Sequence, residues 1–306
     1  MENQKTGVLP HRPAAALIRT MRPRQWLKNV LIFAAVVFDR QLSISHPAPL
    51  LRSLAGFALF CMISSTVYIV NDLMDVEADR RHPVKRTRPI AAGLLSVPAA
   101  IAAAVVLLLV TLPCAYLLSP FFFAVLTGYF LLNLAYSNWL KHIPILDVLV
   151  LATFYVLRVA AGVELITVER FSPWLYVVTT LGALYIGFGK RRAELALLAG
   201  DANAHRRVLS GYTIPLLDQF ITIVSGTTIV AYSLYTFSAP NVPADHTMML
   251  TIPFVLYGVF RYLYLVQVKQ EGGAPEDLIV MDRPLQITVL LWGLSVFLIF
   301  YIFKLQ

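Results

Sequence analysis

The chain has 306 residues, of which 58% are hydrophobic and 14% are charged. A soluble globular domain carries about 25% charged residues, so this composition excludes an ordinary soluble domain. The net charge of +8 does not require a nucleic-acid partner, because cationic loops facing anionic lipid account for it.

Apolar segments of membrane-spanning length follow one another along the chain. Nine such segments cover residues 26–44, 51–74, 97–117, 120–140, 143–164, 172–189, 214–237, 248–268 and 285–304. No soluble domain interrupts them. We therefore predict one all-α transmembrane domain over residues 1–306, whose residues 1–21 form a cytoplasmic N-terminal arm.

Lysine and arginine are concentrated on one side of the predicted spans. The N-terminal arm and the loops after the second, fourth, sixth and eighth spans are rich in them, whereas the opposite loops hold little beyond Arg40, Arg52 and Arg170. The positive-inside rule predicts a multi-pass protein of the cytoplasmic (inner) membrane. Its N-terminus would be cytoplasmic and its C-terminus would lie outside.

The second span ends in an array of acids. Asp72, Asp75 and Asp79 stand at positions i, i+3 and i+7, and they share one face if the helix continues. Three like charges on one face repel each other, a cost that a divalent cation offsets. Oxygen-only ligands favour Mg²⁺, which also binds substrate phosphates. We predict these aspartates as metal ligands with Asn71 beside them; the alternative is a solvated helix end.

Cations at the predicted cytoplasmic ends are candidates for binding phosphate oxygens. Lys85 and Arg86 follow the acidic array, and Lys28 with Asn29 lies inside the first span, where an unused charge is expensive. The fourth span ends in Tyr136 and Ser137 before Lys141. Lys190, Arg191 and Glu194 fall within about one helical turn, although on their own they are better explained as interfacial anchors.

Some polar residues have roles that the sequence leaves open. Asp147 lies one turn into the fifth span, and Arg158 lies too far beyond it to pair with it. For Arg158, a structural pair and a functional role are equally supported. Asp218 is predicted to be structural, and residues 276–284 are predicted to be a plain connector rather than a cover for the cytoplasmic mouth.

The Asn71-Asp72-x-x-Asp75-x-x-x-Asp79 array, the Tyr136-Ser137…Lys141 pair and the nine spans together resemble the UbiA superfamily of intramembrane prenyltransferases. The resemblance implies a helical bundle around a central cavity open to the cytoplasm. It is closer to one branch, the decaprenyl-phosphate phosphoribosyltransferases, and runs along nearly the whole chain. The segments that carry it are residues 22–29, 75–80, 88–93, 189–195, 275–277 and 282–283.

One departure from the wider superfamily supports that branch. Where aromatic prenyltransferases carry a second aspartate-rich motif, this chain has Lys190, Arg191, Arg192, Ala193 and Glu194. A second metal clamp therefore loses ligands, and a site for further phosphate groups gains donors. This suits a donor that carries an extra phosphate and an acceptor that is itself a lipid phosphate.

The resemblance implies an Mg²⁺-dependent transfer of 5-phosphoribose from phosphoribosyl pyrophosphate to a polyprenyl (decaprenyl) phosphate, with release of pyrophosphate. In the family this reaction supplies arabinofuranose for arabinogalactan in the cell wall. The expected catalytic residues are Asp72, Asp75, Asp79 and Lys190, of which the three aspartates hold the metal. The expected substrate-binding residues are Lys28, Asn29, Asn71, Lys85, Arg86, Tyr136, Lys141, Lys190, Arg191 and Glu194.

Two alternatives remain at this stage. An aromatic prenyltransferase acting on a quinone or haem precursor would share the fold, and a transporter of lipids or small molecules would share the spans. Transporters usually place polar sites near the midplane, whereas these polar clusters crowd one membrane face. The sequence leaves open the prenyl chain length, the pairing of each cation with a phosphate, and whether the protein forms an oligomer.

Overall fold

The structure, a computed structural model, describes residues 13–43, 45–167, 172–198, 207–270, 278 and 281–303, without the side chains of residues 198 and 207. Its described elements are helical and include no strand. The α-helices are α1 Pro13–Met21, α2 Ala34–Phe38, α3 Ala48–Met74, α4 Val76–Arg81, α5 Val97–Leu118, α6 Pro120–Asn138, α7 Leu146–Glu164, α8 Trp174–Leu198, α9 Ile214–Ser238, α10 Ile252–Gln267 and α11 Arg283–Phe297.

Membrane-spanning helices dominate the described part of the chain. Seven helical stretches are long and apolar enough to cross a bilayer. The protein is therefore an all-α, multi-pass membrane protein, as predicted. The seven stretches are Ala48–Met74, Val97–Leu118, Pro120–Asn138, Leu146–Glu164, Ile214–Ser238, Thr247–Gln267 and Arg283–Ile302.

The remaining two predicted spans differ from the expectation, so the count of nine is not confirmed. The segment predicted as residues 26–44 is instead a 3₁₀ stretch, Pro23–Phe33, followed by the short helix α2. Polar side chains explain this, because Trp26 donates to the Ser65 hydroxyl at 3.1 Å and Asn29 to the Cys61 sulfur at 3.2 Å. These contacts with α3 favour a 3₁₀ helix over a regular membrane-spanning α-helix in this segment.

The segment predicted as residues 172–189 does form a helix, but α8 continues to Leu198. Its last turns carry Lys190, Arg191, Arg192 and Glu194, so its apolar part is shorter than those of the seven spans. The cationic cluster predicted after a span therefore lies within the helix itself.

The chain forms two compact units. Met1–Val30 with Leu54–Leu134 makes the first unit, and Leu31–Ser53 with Ala135–Gln306 makes the second. The single domain predicted over residues 1–306 stays a prediction. Residues 1–12 of the predicted arm lie outside the described residues, and its remainder is α1, whose Ala16 packs in the core of the first unit.

The second unit contains a close backbone approach that only glycine permits. A Cβ added at Gly162 in α7 would collide with the backbone carbonyl of Ile32. Such an approach lets two helical segments pack without intervening side chains. Elsewhere in the unit, Gly226 of α9 has open space around it.

We expect Gly162→Ala to destabilise the protein by about 1–3 kcal/mol, because the new methyl group must push the Ile32 backbone aside. The measurement is the thermal unfolding midpoint of the purified protein in detergent. The matched control, Gly226→Ala, should leave the midpoint unchanged or raise it, since alanine favours helix by about 1 kcal/mol over glycine. Equal midpoints for the two variants would contradict the packing described here.

Candidate active site

The predicted acidic array lies where α3 ends and α4 begins. Asp72 is in the last turn of α3, Asp75 is the turn residue between the helices, and Asp79 is in α4. The Asp75 N–H donates to the Asn71 carbonyl at 3.0 Å and the Asp79 N–H to the Asp75 carbonyl at 2.8 Å. Helical hydrogen bonding therefore continues through the turn and keeps the acids near the predicted spacing.

Burial separates the three acids. Asp72 and Asp79 are only 3% and 2% exposed, whereas Asp75 is half-buried. A buried carboxylate is costly unless it is paired and hydrogen-bonded. The first two acids therefore need cationic partners.

Two arginines supply that pairing. Arg22 donates through Nη2 to Asp72 Oδ1 at 2.6 Å, and its guanidinium also lies 4.7 Å from the centre of the Tyr68 ring. Arg88 donates through Nη1 to Asp72 Oδ1 at 3.1 Å and to Asp79 Oδ2 at 2.7 Å. One guanidinium nitrogen thus bridges the two buried aspartates.

The predicted magnesium fits this donor set. The buried Oδ1 atom of Asn71 has no hydrogen-bond partner, and it is adjacent in sequence to Asp72. Two buried carboxylates suit Mg²⁺, which binds proteins through few carboxylates together with waters and phosphates. Over the described residues, no three His, Cys, Asp or Glu side chains converge on one point, so the role of Asp75 stays a prediction.

The structure distributes the predicted phosphate-binding cations of the first unit unevenly. Lys85 and Arg86 are exposed on a 3₁₀ turn. Of the cations in this segment of the first unit, Arg88 pairs with Asp72 and Asp79. Lys28 is half-buried in the 3₁₀ stretch, and the neighbouring Asn29 is fully buried with its amide on Cys61. The substrate-binding roles assigned to these residues stay predictions.

In the second unit, Arg191 is the centre of a buried polar cluster. It is 1% exposed, and its Nε donates to Asp147 Oδ2 at 2.6 Å while Nη1 donates to Glu194 Oε2 at 2.7 Å. Its Nη2 lies 3.5 Å from the Tyr136 hydroxyl. The structure therefore brings together three residues predicted for the site, but it directs the Arg191 donors to protein partners.

Lys190 and Lys141 have a different environment. Both are half-buried, and neither has a hydrogen bond or ion pair with another described residue. Lys190 adjoins Arg191 on α8, and Lys141 lies on the 3₁₀ turn Leu140–His142. An ammonium group that lacks a counter-ion in the described structure can accept a phosphate group.

Tyr212 and Asp147 belong to this cluster, although the sequence did not assign them to it. The Tyr212 hydroxyl donates to Asp147 Oδ1 at 2.6 Å. Burial, followed by the hydrogen bond to Asp147, raises the pKa of Tyr212 above its ordinary value, so the hydroxyl keeps its proton. The signal in the sequence was Asp147 itself, because a carboxylate inside a span needs a partner.

Other predicted polar residues lie outside the two clusters. Asp218 accepts from Arg192 at 2.6 Å, as expected of a structural residue. Arg158 is buried and donates to the Phe154 carbonyl of its own helix at 2.7 Å, which leaves both interpretations open. In the predicted connector, residues 276–277 and 279–280 lie outside the described part, while Asp282 caps α11 and pairs with Arg261 at 2.8 Å.

The fold and the acidic helix end define a multi-pass membrane protein with a candidate site for a metal-bound phosphate at the end of one span. The chain belongs to the UbiA prenyltransferase family, whose model matches residues 30–281. The resemblance noted in the sequence is thereby confirmed.

Full-length relatives place the chain near one branch of that family. It is 32% identical to a decaprenyl-phosphate phosphoribosyltransferase of Corynebacterium glutamicum, over 99% of this chain and 92% of that protein. It is 35% identical to a protein of the same name from Mycobacterium tuberculosis, over 92% of this chain and 93% of that protein.

Solved structures support the same fold. The chain resembles a UbiA homologue from Archaeoglobus fulgidus bound to GPP and Mg²⁺, with a TM-score of 0.69 and 19% identity, over 93% of this chain and 99% of that one. A structure of a UbiA homologue from the same organism bound to DMAPP and Mg²⁺ gives a TM-score of 0.68 at 18% identity, over 94% and 99% of the two chains. At this identity the likeness establishes the fold alone.

We expect Arg191→Ala to destabilise the protein by about 3–5 kcal/mol, because it leaves the carboxylate of Asp147 buried without its cation. The thermal unfolding midpoint in detergent measures the loss. Lys190→Ala is the matched control, since it removes the neighbouring cation but breaks no ion pair in the described structure. If both variants had the same unfolding midpoint as the wild type, the buried polar cluster around Arg191 would not stabilise the protein.

Proposed function

We propose that this protein transfers 5-phosphoribose from phosphoribosyl pyrophosphate to the phosphate of decaprenyl phosphate and releases pyrophosphate. The observation that carries the proposal is the similarity to decaprenyl-phosphate phosphoribosyltransferases at 32–35% identity over more than nine-tenths of each chain. The pairing of buried acids with arginines at the end of α3 supports it, because a pyrophosphate with its metal needs both charges.

The acidic end of α3 is the proposed pyrophosphate site. Asp72 and Asp79 would hold Mg²⁺, with Asn71 and the half-buried Asp75 as further oxygen donors. Bound there, Mg²⁺ would supply Lewis-acid stabilisation of the charge that develops on the leaving pyrophosphate. Arg22 and Arg88 pair with Asp72; with Mg²⁺ on that acid, their part-exposed guanidinium groups would bind phosphate oxygens instead.

The chemistry does not require a general base from the protein. The nucleophile is a phosphate oxygen of the lipid, which is ionised at neutral pH. We infer an oxocarbenium-like transition state at the sugar carbon, as in other glycosyl transfers, and an in-line displacement that inverts this carbon. The residues of the protein would then act by positioning the substrates and stabilising charge.

We assign Lys190 and Lys141 to phosphate binding in the second unit, because their ammonium groups have no partner among the described residues. Arg191 is assigned to support of that segment, since carboxylates occupy its Nε and Nη1. This narrows the phosphate-binding set predicted from the sequence.

We infer the membrane orientation from the charge distribution. By the positive-inside rule, the N-terminus, the acidic end of α3 and the cationic end of α8 would lie on the cytoplasmic side of the inner membrane. The soluble donor would enter from there, and the lipid acceptor would bring its head group from the bilayer. In this proposal the product feeds the arabinofuranose supply of the cell envelope.

Loss of one buried acid should abolish the transfer. Asp72→Asn removes a negative charge that the metal requires, and we expect lipid labelling from radiolabelled phosphoribosyl pyrophosphate, in detergent with decaprenyl phosphate and Mg²⁺, to fall at least about 100-fold. Glu77→Gln is the matched control, because this carboxylate is 69% exposed and pairs only with Arg80 among the described residues. Full activity of Asp72→Asn in the folded protein would refute the metal role.

The donor substrate that the protein accepts distinguishes the proposed phosphoribosyl transfer from aromatic prenyl transfer. The same preparation should label decaprenyl phosphate from phosphoribosyl pyrophosphate and give no product from a prenyl diphosphate with an aromatic acid. The reason is that the position of a second aspartate-rich motif holds one carboxylate and three cations. The reverse pattern of activity would establish an aromatic prenyltransferase, and counterflow in liposomes without product would establish a transporter.

A further inference from the structure

The segment that carries Lys141 ends in a backbone turn that L-amino acids rarely adopt. Ile145 has φ 69° and ψ −51°, and the Leu146 N–H donates to the Pro144 carbonyl at 2.8 Å. These values describe a γ-turn of the rare, strained kind, and a β-branched residue at positive φ increases its cost. Such a turn persists only where the surrounding structure holds it in place.

The loop before α9 provides the contacts that hold this turn. The Tyr212 hydroxyl accepts the Ile145 N–H at 2.5 Å and donates to Asp147 Oδ1 at 2.6 Å. Tyr212 is 4% exposed, so water does not compete for these bonds. The preceding Gly211 lies so close to Pro144 that a Cβ would collide with the proline ring. The loop is therefore fitted against the turn.

The same network reaches α8. Asp147, which accepts the Tyr212 hydroxyl, also accepts Arg191 Nε at 2.6 Å, and Arg191 is adjacent to Lys190. Two separate segments thus meet on the Asp147 carboxylate: the loop that ends in Tyr212 and the cationic end of α8. Asp147 itself lies in the first turn of α7, directly after the turn at Ile145. All of these residues belong to the second compact unit.

We propose that Tyr212 is a positioning residue that fixes the γ-turn Pro144–Leu146 and, through it, the preceding 3₁₀ turn Leu140–His142, so that the Lys141 ammonium is held for a phosphate group of a substrate. The hydroxyl acts through the Ile145 N–H and the Asp147 carboxylate and touches no reacting atom. The phosphate ligand rests on the proposed function, whereas the clamping of the turn does not. Removal of the Tyr212 hydroxyl would release the γ-turn at Ile145 without altering Lys141 itself.

Hydrogen exchange tests the clamp without any assay of activity. In Tyr212→Phe the Ile145 amide loses its acceptor, so the peptide that spans residues 139–147 should exchange at least about tenfold faster than in the wild type. Tyr232→Phe is the matched control, because this buried hydroxyl also makes two side-chain hydrogen bonds, with Thr251 and Trp292. Unchanged exchange of the peptide in Tyr212→Phe would overturn the proposal.

A double-mutant comparison tests whether the clamp acts through Lys141. Tyr212→Phe should lower kcat/KM for phosphoribosyl transfer about tenfold, mainly by raising KM, because it misplaces a binding group. In a Lys141→Ala background the same change should cost less than about twofold, since the group that it positions is absent. Tyr232→Phe should leave kcat/KM unchanged in both backgrounds.

The possible outcomes are distinguishable. If the losses of Tyr212→Phe and Lys141→Ala multiply, Tyr212 has only a general structural role and the positioning claim is wrong. If the wild type transfers no phosphoribose, the proposed function fails. Faster exchange in Tyr212→Phe would still support the clamp in that case, and unchanged exchange would still overturn it.

Discussion

The carboxylates buried at the end of a membrane span require cationic partners, and this requirement explains how the polar residues of the molecule are paired. Asp72 and Asp79 are almost inaccessible to solvent, and removing a carboxylate from water costs several kcal/mol per ion even after relaxation. Arg22 and Arg88 offset that cost at distances of 2.6–3.1 Å. In the proposed function, Asp72 and Asp79 would hold the metal in place of these ion pairs, and the guanidinium groups of Arg22 and Arg88 would then bind phosphate oxygens.

The second unit also contains a buried carboxylate, and here hydrogen-bond donors of the protein satisfy both of its oxygens. Asp147 is fully buried and is satisfied on both oxygens, by Arg191 and by Tyr212. Arg191 in turn donates to Glu194, and its Nη2 lies 3.5 Å from the Tyr136 hydroxyl, which extends the network. Lys141 and Lys190 remain outside it. In the proposed function, the bonded residues of this network support the backbone, and the two lysines bind phosphate groups.

The sequence predicted what depends on local pattern. Apolar run length predicted nine spans, seven of which are membrane-spanning helices in the described part of the chain. The i, i+3, i+7 spacing placed Asp72 and Asp79 close enough to share Arg88. It did not predict the 3₁₀ stretch Pro23–Phe33, because contacts of Trp26 and Asn29 with residues on α3 determine that backbone. Nor did it predict Arg22 with Asp72, or Tyr212 with Asp147, since these partners are 50 and 65 residues apart. Pairing at that range is a property of the fold rather than of any local motif.

In the proposed function, the acids at the end of α3 hold a divalent metal that is bound to a pyrophosphate. Electron spin-echo spectroscopy with Mn²⁺ in place of Mg²⁺, on the full chain in nanodiscs with phosphoribosyl pyrophosphate, measures this directly. We expect ³¹P coupling to protein-bound Mn²⁺ in the wild type and in Glu77→Gln, and its loss in Asp72→Asn, as the proposed function requires. Equal ³¹P coupling in Asp72→Asn and the wild type would contradict it.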